Sequence, residues 1–218
     1  MRVGVIGSGM VGKAIADRLL ELGHEVRMGS RNSDGPAAQW AAQAGDRAAA
    51  GDFARAAAFG ELVVNATAGS RSLDALHLAG QRNLAGKVLL DVANPINTTA
   101  GSGPMTLTVA NSSSLAEQIQ HEFPEARVVK ALNTMNCTVM VNPKLIPGEH
   151  VVFVSGDDPD AKQLVTRLLG SIGWPESQIV DLGDVATARG TEAFLLLWLP
   201  LWQALDRREF NIAIQRAR

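Results

Sequence analysis

Three glycines near the start of the chain have the spacing of a phosphate-binding turn. Gly7, Gly9 and Gly12 lie in the run GSGMVG, which follows an apolar, β-branched segment and opens an amphipathic one. Gly7 permits a tight turn, Gly9 lets a diphosphate approach the backbone, and Gly12 allows a helix to pack closely on a strand. A diphosphate at this turn would meet free N–H groups and the positive end of a helix dipole. The run therefore predicts that the chain binds a dinucleotide.

The residues that follow the second predicted strand favour NADP(H) over NAD(H). Enzymes that bind NAD usually place an acidic residue there against the ribose hydroxyls, whereas this chain reads Ser30-Arg31-Asn32. Ser30 can donate a hydrogen bond to a 2′-phosphate, and Arg31 can donate a pair of charge-assisted hydrogen bonds to the same group. The alternative is that Arg31 is a solvated loop residue. Its spacing from the glycines favours the first interpretation, so we expect NADP(H) as the cofactor.

Three further loops are candidates for the same site. Ligands of open α/β sheets bind outside the carboxyl ends of the strands, and the loops after the fourth, fifth and sixth predicted strands carry small or polar residues. Each loop could be an ordinary turn or helix cap, but their shared location favours a role in binding. The residues are Ala66, Thr67 and Ala68, then Asn94 and Pro95, then Asn133, Thr134 and Met135.

The elements that position these residues alternate along the chain. Short β-branched runs alternate with amphipathic segments, a pattern typical of βαβ units around a parallel sheet. We predict an α/β fold of the Rossmann type: a doubly wound, mostly parallel sheet with helices on both faces, and a short C-terminal extension ending in an apolar helix. Strands are expected at 2–6, 25–28, 47–49, 62–65, 88–91, 127–130, 151–155 and 179–181, helices at 11–22, 36–44, 53–59, 72–78, 114–122, 159–169 and 186–204, and a loop at 97–104.

The length of the chain suits a single NADP-binding domain over residues 1–218. Residues 1–135 are expected to form the dinucleotide-binding core. Residues 136–218 would add strands and the C-terminal helix that complete the substrate site, because they are too few for a separate helical substrate domain. The substrate should therefore bind largely on the Rossmann domain itself.

Composition narrows the classes of function. A net charge of -2, from 20 Lys and Arg against 22 Asp and Glu, provides no broad basic surface for nucleic acid. The single cysteine, Cys137, cannot form an internal disulfide, and no signal-peptide pattern precedes the first predicted strand, so a cytoplasmic location is expected. The most apolar run, 194–202, is far shorter than the roughly 18 residues that cross a bilayer, and it contains Pro200. We expect no membrane span.

The same apolar run lacks a polar face, which a helix on the surface of a monomer would show. One interpretation is that the helix is buried within its own domain. The other is that a second copy of the chain covers it, and this second interpretation is our expectation: a homodimer joined through the C-terminal apolar helix beside the two active sites.

Taken together, these loops resemble those of the NADPH-dependent reductases of the deazaflavin coenzyme F-420, whose fold is shared by the reductase domain of the STEAP ferric reductases. The matching stretches are MRVGVIGSGMVGKAIADRLLELGHEVRMGSRN, LVVNAT, DVANP and RVVKALNTMN. The resemblance implies that the diphosphate is lined by Ser8, Met10 and Val11. It implies that Ser30 and Arg31 hold the 2′-phosphate and that Thr67 and Ala68 flank the ribose. The residues implied around the nicotinamide and the acceptor ring are Asn94, Pro95, Ala131 and Thr134.

The chain departs from its relatives at two places. Residues 33–36 lack a lysine that some relatives place near the 2′-phosphate. The run Met135-Asn136-Cys137 stands where many relatives have an apolar residue followed by proline. The second departure lies in the loop that faces the acceptor, so it leaves the identity of the acceptor open.

Hydride transfer between two flat rings needs mainly stacking at the right distance, so a dedicated acid or base is optional. None of the four histidines is placed for catalysis, no cluster of metal ligands is evident, and Asp91 and Lys130 read as a structural ion pair. We expect an oxidoreductase without a catalytic side chain, which transfers hydride between NADP(H) and coenzyme F-420 or a flavin as second substrate. Two alternatives stay open: a reductase of another small substrate or ferric chelate, and a module that senses NADP(H) without turnover.

Overall fold

The computed structural model describes residues 1–32, 34–97 and 105–217. Their strands form one eight-stranded sheet in the order β3-β2-β1-β4-β5-β6-β7-β8. Neighbouring strands are parallel except β6 and β7, which pair in the antiparallel sense. The strands are β1 Arg2–Ile6, β2 Glu25–Gly29, β3 Ala48–Gly51, β4 Leu62–Asn65, β5 Val88–Asp91, β6 Arg127–Ala131, β7 Val152–Ser155 and β8 Ile179–Asp181.

Helices cover both faces of this sheet because the central strands are apolar on both sides. Successive side chains of a strand point to opposite faces, and Val3 and Val5 accordingly pack in one core while Ile6 packs in the other. The helices are α1 Met10–Glu21, α2 Pro36–Ala44, α3 Phe53–Phe59, α4 Ser72–Ala79, α5 Gln81–Leu84, α6 Leu115–Glu122, α7 Cys137–Val141, α8 Pro159–Ile172, α9 Ala188–Ala193 and α10 Leu195–Leu205. The predicted doubly wound α/β fold is confirmed.

Most predicted elements agree with the structure to within one or two residues, and even the Ala-rich third strand is present as β3. The helix predicted at 186–204 is instead divided into a short 3-10 turn, α9 and α10. Pro200 lies inside α10, where it cannot donate a backbone hydrogen bond to the preceding turn. The loop predicted at 97–104 lies, from residue 98 onward, outside the described residues.

The chain continues beyond α10 as an extended C-terminal tail, residues 206–217. Asp206 ends the helix in a left-handed conformation, with φ of 48°. The tail then returns to the sheet, where the backbone N–H of Val151 donates to the carbonyl oxygen of Ile212 at 2.9 Å. Asn211 Nδ2 lies 2.8 Å from the oxygen of Val151 and 2.9 Å from His150 Nδ1.

The reversal of β7 determines where this tail lies. Because β7 runs against β6, the residues that precede β7 stand at the same edge of the sheet as the carboxyl ends of the parallel strands. The tail pairs with Val151, immediately before β7, so it is held at the edge where ligands of such folds bind. Within the described residues, no helix has both the length and the apolar character needed to cross a bilayer.

Candidate functional site

The glycine turn is built by close approaches of backbone to backbone. Gly7 has φ of 114°, and a Cβ there would lie 2.6 Å from the oxygen of Ala66. A Cβ on Gly12 would lie 2.1 Å from the oxygen of Gly7, so a side chain at Gly12 would push α1 off the turn. Gly9 has no described atom within 4 Å of an added Cβ, so its glycine leaves open space above the start of α1. The turn can therefore receive an anionic group at the positive end of α1.

A cavity of about 470 Å³, here called the nucleotide cavity, opens beside this turn. Its wall combines backbone of the glycine turn, the loop after β2, the loop after β4 and one face of α4. The lining residues are Gly7, Ser8, Gly9, Ser30, Arg31, Phe53, Ala66, Thr67, Ala68, Arg71, Asp74, Ala75 and Leu78.

Ser30 and Arg31 stand at one end of the nucleotide cavity. Ser30 is 7% exposed, and its hydroxyl donates to the carbonyl oxygen of Asn32 at 2.6 Å. Asn32 accepts the N–H of Asp34 on Oδ1, so its side chain stabilises the turn and does not line the cavity. Arg31 is exposed and takes part in none of the ion pairs among residues 1–32, 34–97 and 105–217. Its guanidinium is therefore available to a ligand.

A second cavity of about 350 Å³, here called the acceptor cavity, lies on the other side of the loop after β4. The two cavities share Ala66, Thr67 and Ala68, so they adjoin at that loop. The wall of the second is mostly apolar and rich in sulfur. Its lining residues are Met10, Val11, Ala66, Thr67, Ala68, Gly69, Val92, Ala93, Asn94, Ile96, Met135, Asn136, Cys137, Met140 and Trp198.

The loops after β5 and β6 hold each other in place beside the acceptor cavity. Asn94 Nδ2 donates to the oxygen of Asn133 at 2.7 Å, and Asn133 Nδ2 donates back to Asn94 Oδ1 at 3.0 Å. Asn94 lines the cavity, whereas Asn133 lies outside the lining and holds the Asn94 side chain in place. Thr134 is 3% exposed, and its hydroxyl has no hydrogen-bond partner in the described part of the chain.

The structure thus brings most of the predicted site residues to the two cavities and leaves six of them outside the walls. Those in the walls are Gly7, Ser8, Gly9, Met10, Val11, Ser30, Arg31, Ala66, Thr67, Ala68 and Asn94. Those outside the walls are Gly12, Asn32, Pro95, Ala131, Asn133 and Thr134. Gly12, Pro95, Ala131, Asn133 and Thr134 are buried, and they shape the backbone that the cavities use.

A buried polar network lies beneath the loop shared by the cavities. The hydroxyl of Thr67 donates to Asn65 Oδ1 at 2.7 Å, and Asn65 Nδ2 donates to Asp91 Oδ1 at 2.8 Å. Ser72 Oγ lies 2.7 Å from Thr67 Oγ1. Because the proton of Thr67 is already donated to Asn65, that of Ser72 points to Thr67, and Thr67 can only accept a hydrogen bond from a ligand.

The network continues into a buried ion pair that the sequence predicted only in part. Lys130 Nζ contacts Asp91 Oδ2, as expected, and also Glu192 Oε1 at 2.8 Å and the oxygen of Ala93 at 2.7 Å. Glu192 in turn accepts the backbone N–H groups of Leu115 and Ala116 at the start of α6. Lys130, Asp91 and Glu192 are each at most 1% exposed. The network therefore joins three strands, α6 and α9 beneath the site.

Burial and the neighbouring charges shift the pKa values of Lys130 and Glu192. Burial alone would lower the pKa of Lys130, but the carboxylates of Asp91 and Glu192 raise it, so the ammonium stays charged. Burial raises the pKa of the Glu192 carboxyl, and the neighbouring Asp91 adds to this effect while Lys130 opposes it. The arrangement is a structural network of ion pairs and hydrogen bonds, in which the N–H groups of α6 complete the bonds of Glu192.

Several residues of the cavity walls were absent from the sequence-based prediction. Trp198, Cys137 and Met140 lie far from the glycine turn in sequence, and Arg71 lies on the wall of the nucleotide cavity. Arg71 could have been identified by its position a few residues after Thr67. Burial raises the pKa of the Cys137 thiol, and the side chain is 5% exposed, so Cys137 packs as a small apolar residue.

Comparison with known proteins relates this geometry to reductases. The family described as NADP oxidoreductase, coenzyme F420-dependent, matches residues 2–95. A crystal structure at 1.70 Å of a provisionally named F420-dependent NADP reductase from Arthrobacter sp. FB24 is 47% identical, with a TM-score of 0.92 over 98% of this chain and 99% of that one.

Two curated relatives are longer than this chain. Rat metalloreductase STEAP3 is 30% identical over 203 residues, which are 93% of this chain and 38% of STEAP3. The F420-dependent NADP reductase of Methanocaldococcus jannaschii is 27% identical over 121 residues, which are 56% of this chain and 53% of that protein. The matched regions thus span about half or less of each curated relative.

Proposed function

Because this chain belongs to the family of coenzyme F-420-dependent NADP oxidoreductases, we propose that it transfers hydride between NADP(H) and a planar acceptor of the deazaflavin or flavin class. The observation that carries this proposal is the pair of cavities that adjoin at Thr67. One has a glycine turn and a free guanidinium, which suit phosphates. The other is mostly apolar, which suits flat rings.

The residues of the nucleotide cavity fit NADP(H). Gly9 leaves room for a diphosphate at the start of α1, where N–H groups and the helix dipole favour an anion. Arg31 would bind the 2′-phosphate, and the hydroxyl of Ser30 would exchange its bond with Asn32 for one to the same group. Thr67, which can only accept, suits a ribose hydroxyl and not a phosphate oxygen.

The nicotinamide end would lie against the loop shared by the two cavities. The side-chain amide of Asn94, held by two hydrogen bonds with Asn133, would present a fixed edge to the nicotinamide. Pro95, Ala131 and Thr134 would act indirectly, by fixing the loops after β5 and β6. When bound, NADPH supplies the hydride, and the protein supplies stacking, orientation and exclusion of water, which can account for about 7–11 kcal/mol of a barrier.

Different parts of the chain form the walls of the two cavities. The glycine turn and the loops after β2, β4 and β5 lie within residues 1–135, which we propose as the dinucleotide-binding core of a single domain. The far wall of the acceptor cavity comes from α7 and α10, within residues 136–218, through Cys137, Met140 and Trp198. We propose that this second part determines the acceptor.

A spectrophotometric assay tests the proposed function. NADPH oxidation would be followed with coenzyme F-420, FMN, FAD and ferric chelates as separate acceptors. We expect turnover with F-420 and slower or no turnover with the others. Turnover only with a ferric chelate would favour a metal-chelate reductase, whereas NADPH binding without turnover by any acceptor would favour a sensor. Absence of NADPH binding would contradict the proposal as a whole.

The C-terminal helix supports the proposal of a homodimer. Leu195 and Trp198 are each 9% exposed and face the chain's own core, whereas Leu196 and Leu197 are 44% and 54% exposed. The helix is thus apolar on its outer face as well, beside the acceptor cavity that Trp198 lines. We propose that a second copy of the chain covers this face.

A further inference from the structure

Asn136 lies on the wall of the acceptor cavity, immediately before α7. Its Oδ1 accepts the backbone N–H of Thr138 at 3.0 Å and the hydroxyl of Thr138 at 2.9 Å, and the sulfur of Cys137 lies 3.7 Å from the same oxygen. Because a backbone N–H can only donate, the bond from Thr138 determines which end of the Asn136 amide is the oxygen. The orientation of this amide is therefore fixed.

The nitrogen of the same amide keeps its donors free. Nδ2 carries two N–H groups, and neither is bonded to another residue in the described part of the chain. The side chain of Asn136 is half-buried, and Nδ2 is not among the unpaired atoms that burial closes off from solvent. The indole nitrogen of Trp198 on the same wall is such a closed atom. Asn136 Nδ2 is therefore both free to donate and accessible.

The other amide and hydroxyl side chains that line the acceptor cavity already donate within the protein. Asn94 Nδ2 donates to the oxygen of Asn133, and its Oδ1 accepts from Asn133 in return. The hydroxyl of Thr67 donates to Asn65. Most of the remaining wall is apolar, and a carbonyl oxygen placed there without a donor would cost about 1–3 kcal/mol. The two free N–H groups of Asn136 can remove this cost for a ligand with a polar edge.

We propose that Asn136 is a specificity-determining residue for the hydride acceptor, and that its side-chain Nδ2 donates a hydrogen bond to a carbonyl oxygen or ring nitrogen on the acceptor's edge. This inference rests on the proposed function and names the chemistry of its second substrate. The acceptor is a fused, planar ring system with a hydrogen-bond acceptor in its plane, as in deazaflavins and flavins. Its faces meet the apolar wall, and its edge meets Asn136.

Two matched substitutions at the ends of α7 test the proposal. Asn136→Ser removes the amide and keeps a side-chain oxygen that can cap α7, and Asn142→Ser makes the same change at the other end, outside both cavities. We expect N136S to raise the KM for coenzyme F-420 about three- to ten-fold, the effect of one net hydrogen bond. The KM for NADPH should not change, and N142S should resemble the unmodified protein. Equal KM values for F-420 in all three proteins would overturn the proposal.

A second variant serves if N136S does not fold. Asn136→Asp keeps the shape of the side chain and an oxygen for the N–H and hydroxyl of Thr138, and it exchanges the donor for a negatively charged oxygen. The carboxylate cannot donate and repels a carbonyl oxygen, so we expect N136D to raise the KM for F-420 about ten-fold or more. An unchanged KM in N136D would also overturn the proposal.

A binding titration separates this inference from the proposed function. Oxidised F-420 and, separately, FMN are titrated by fluorescence into the NADP⁺ complex, in which no hydride can pass. Weaker binding of either ring to N136S than to N142S supports the role of Asn136, even if no turnover is seen and the proposed reaction is contradicted. Equal binding to both variants overturns the role of Asn136, even if the protein reduces F-420. Failure of the unmodified protein to bind either ring overturns both proposals.

Discussion

At the scale of single residues, we expect Arg31 to determine which nicotinamide cofactor the site prefers. Replacing it with alanine should raise the dissociation constant for NADPH roughly ten-fold or more, because about 1.5–3 kcal/mol of charged hydrogen bonding is lost. Affinity for NADH, which lacks the 2′-phosphate, should barely change. Fluorescence titration with both cofactors measures the two constants.

The matched control for this substitution is Arg82→Ala. Arg82 is an exposed arginine on α5 that lies outside the wall of the nucleotide cavity, so R82A should leave both affinities unchanged. An equal loss of NADPH and NADH affinity in R31A would show that Arg31 does not recognise the extra phosphate.

Single residues also show what could be predicted from the sequence. The glycine turn could be predicted because its spacing is local and each glycine has a steric reason, as the 2.1 Å approach at Gly12 illustrates. Trp198 and Glu192 could not be placed, because only the folded chain brings them to residues some 60 to 130 positions earlier, such as Lys130 and Ala68. A charged residue in an apolar strand, Lys130, was the available signal that a buried partner must exist.

At the scale of elements, the buried network fixes α9 to the sheet through Lys130 and Glu192. Lys130→Met should destabilise the protein by about 3–5 kcal/mol, because it leaves two buried carboxylates without their cation. Chemical denaturation at neutral pH measures this loss. The exposed pair of Arg2 and Glu61, whose side chains are 53% and 52% exposed, provides the control.

Glu61→Gln should cost less than about 1 kcal/mol, as is usual for exposed ion pairs. If K130M proved as stable as E61Q, the buried network would not be what holds α9 against the sheet. The comparison is informative because K130M breaks two fully buried ion pairs, whereas E61Q breaks one exposed pair.

The elements that were predicted well are those whose apolar residues follow a clear pattern along the sequence. Strands β1, β4, β5 and β8 match their predicted bounds because short β-branched runs are flanked by polar residues or turns. Helix α7 has five residues, too few for an amphipathic period to show. The division of 186–204 into α9 and α10 was missed because apolar residues continue across Phe194, and hydrophobicity alone gives no boundary there.

At the scale of the whole molecule, the outer face of α10 should determine the oligomeric state. Sedimentation equilibrium at micromolar concentration should show a dimer. Leu197→Glu should give a monomer, because it places a charge on a leucine that is 54% exposed in one chain and would be buried between two. A monomeric wild-type protein would contradict the proposed interface.

Leu145→Glu is the control for the dimer. Leu145 is 49% exposed and lies on a 3-10 turn outside α10, so the same charge there should leave the dimer intact. If L145E dissociated the protein as completely as L197E, the interface would involve a surface other than α10.

The reversed strand β7 has a practical consequence for handling the protein. The amino terminus enters β1 at the edge remote from the ligands, whereas the tail ends beside the start of β7, on the ligand side. An affinity tag or fluorescent fusion at the carboxyl terminus would therefore begin on the ligand side of the sheet. A fusion at the amino terminus would begin on the opposite side.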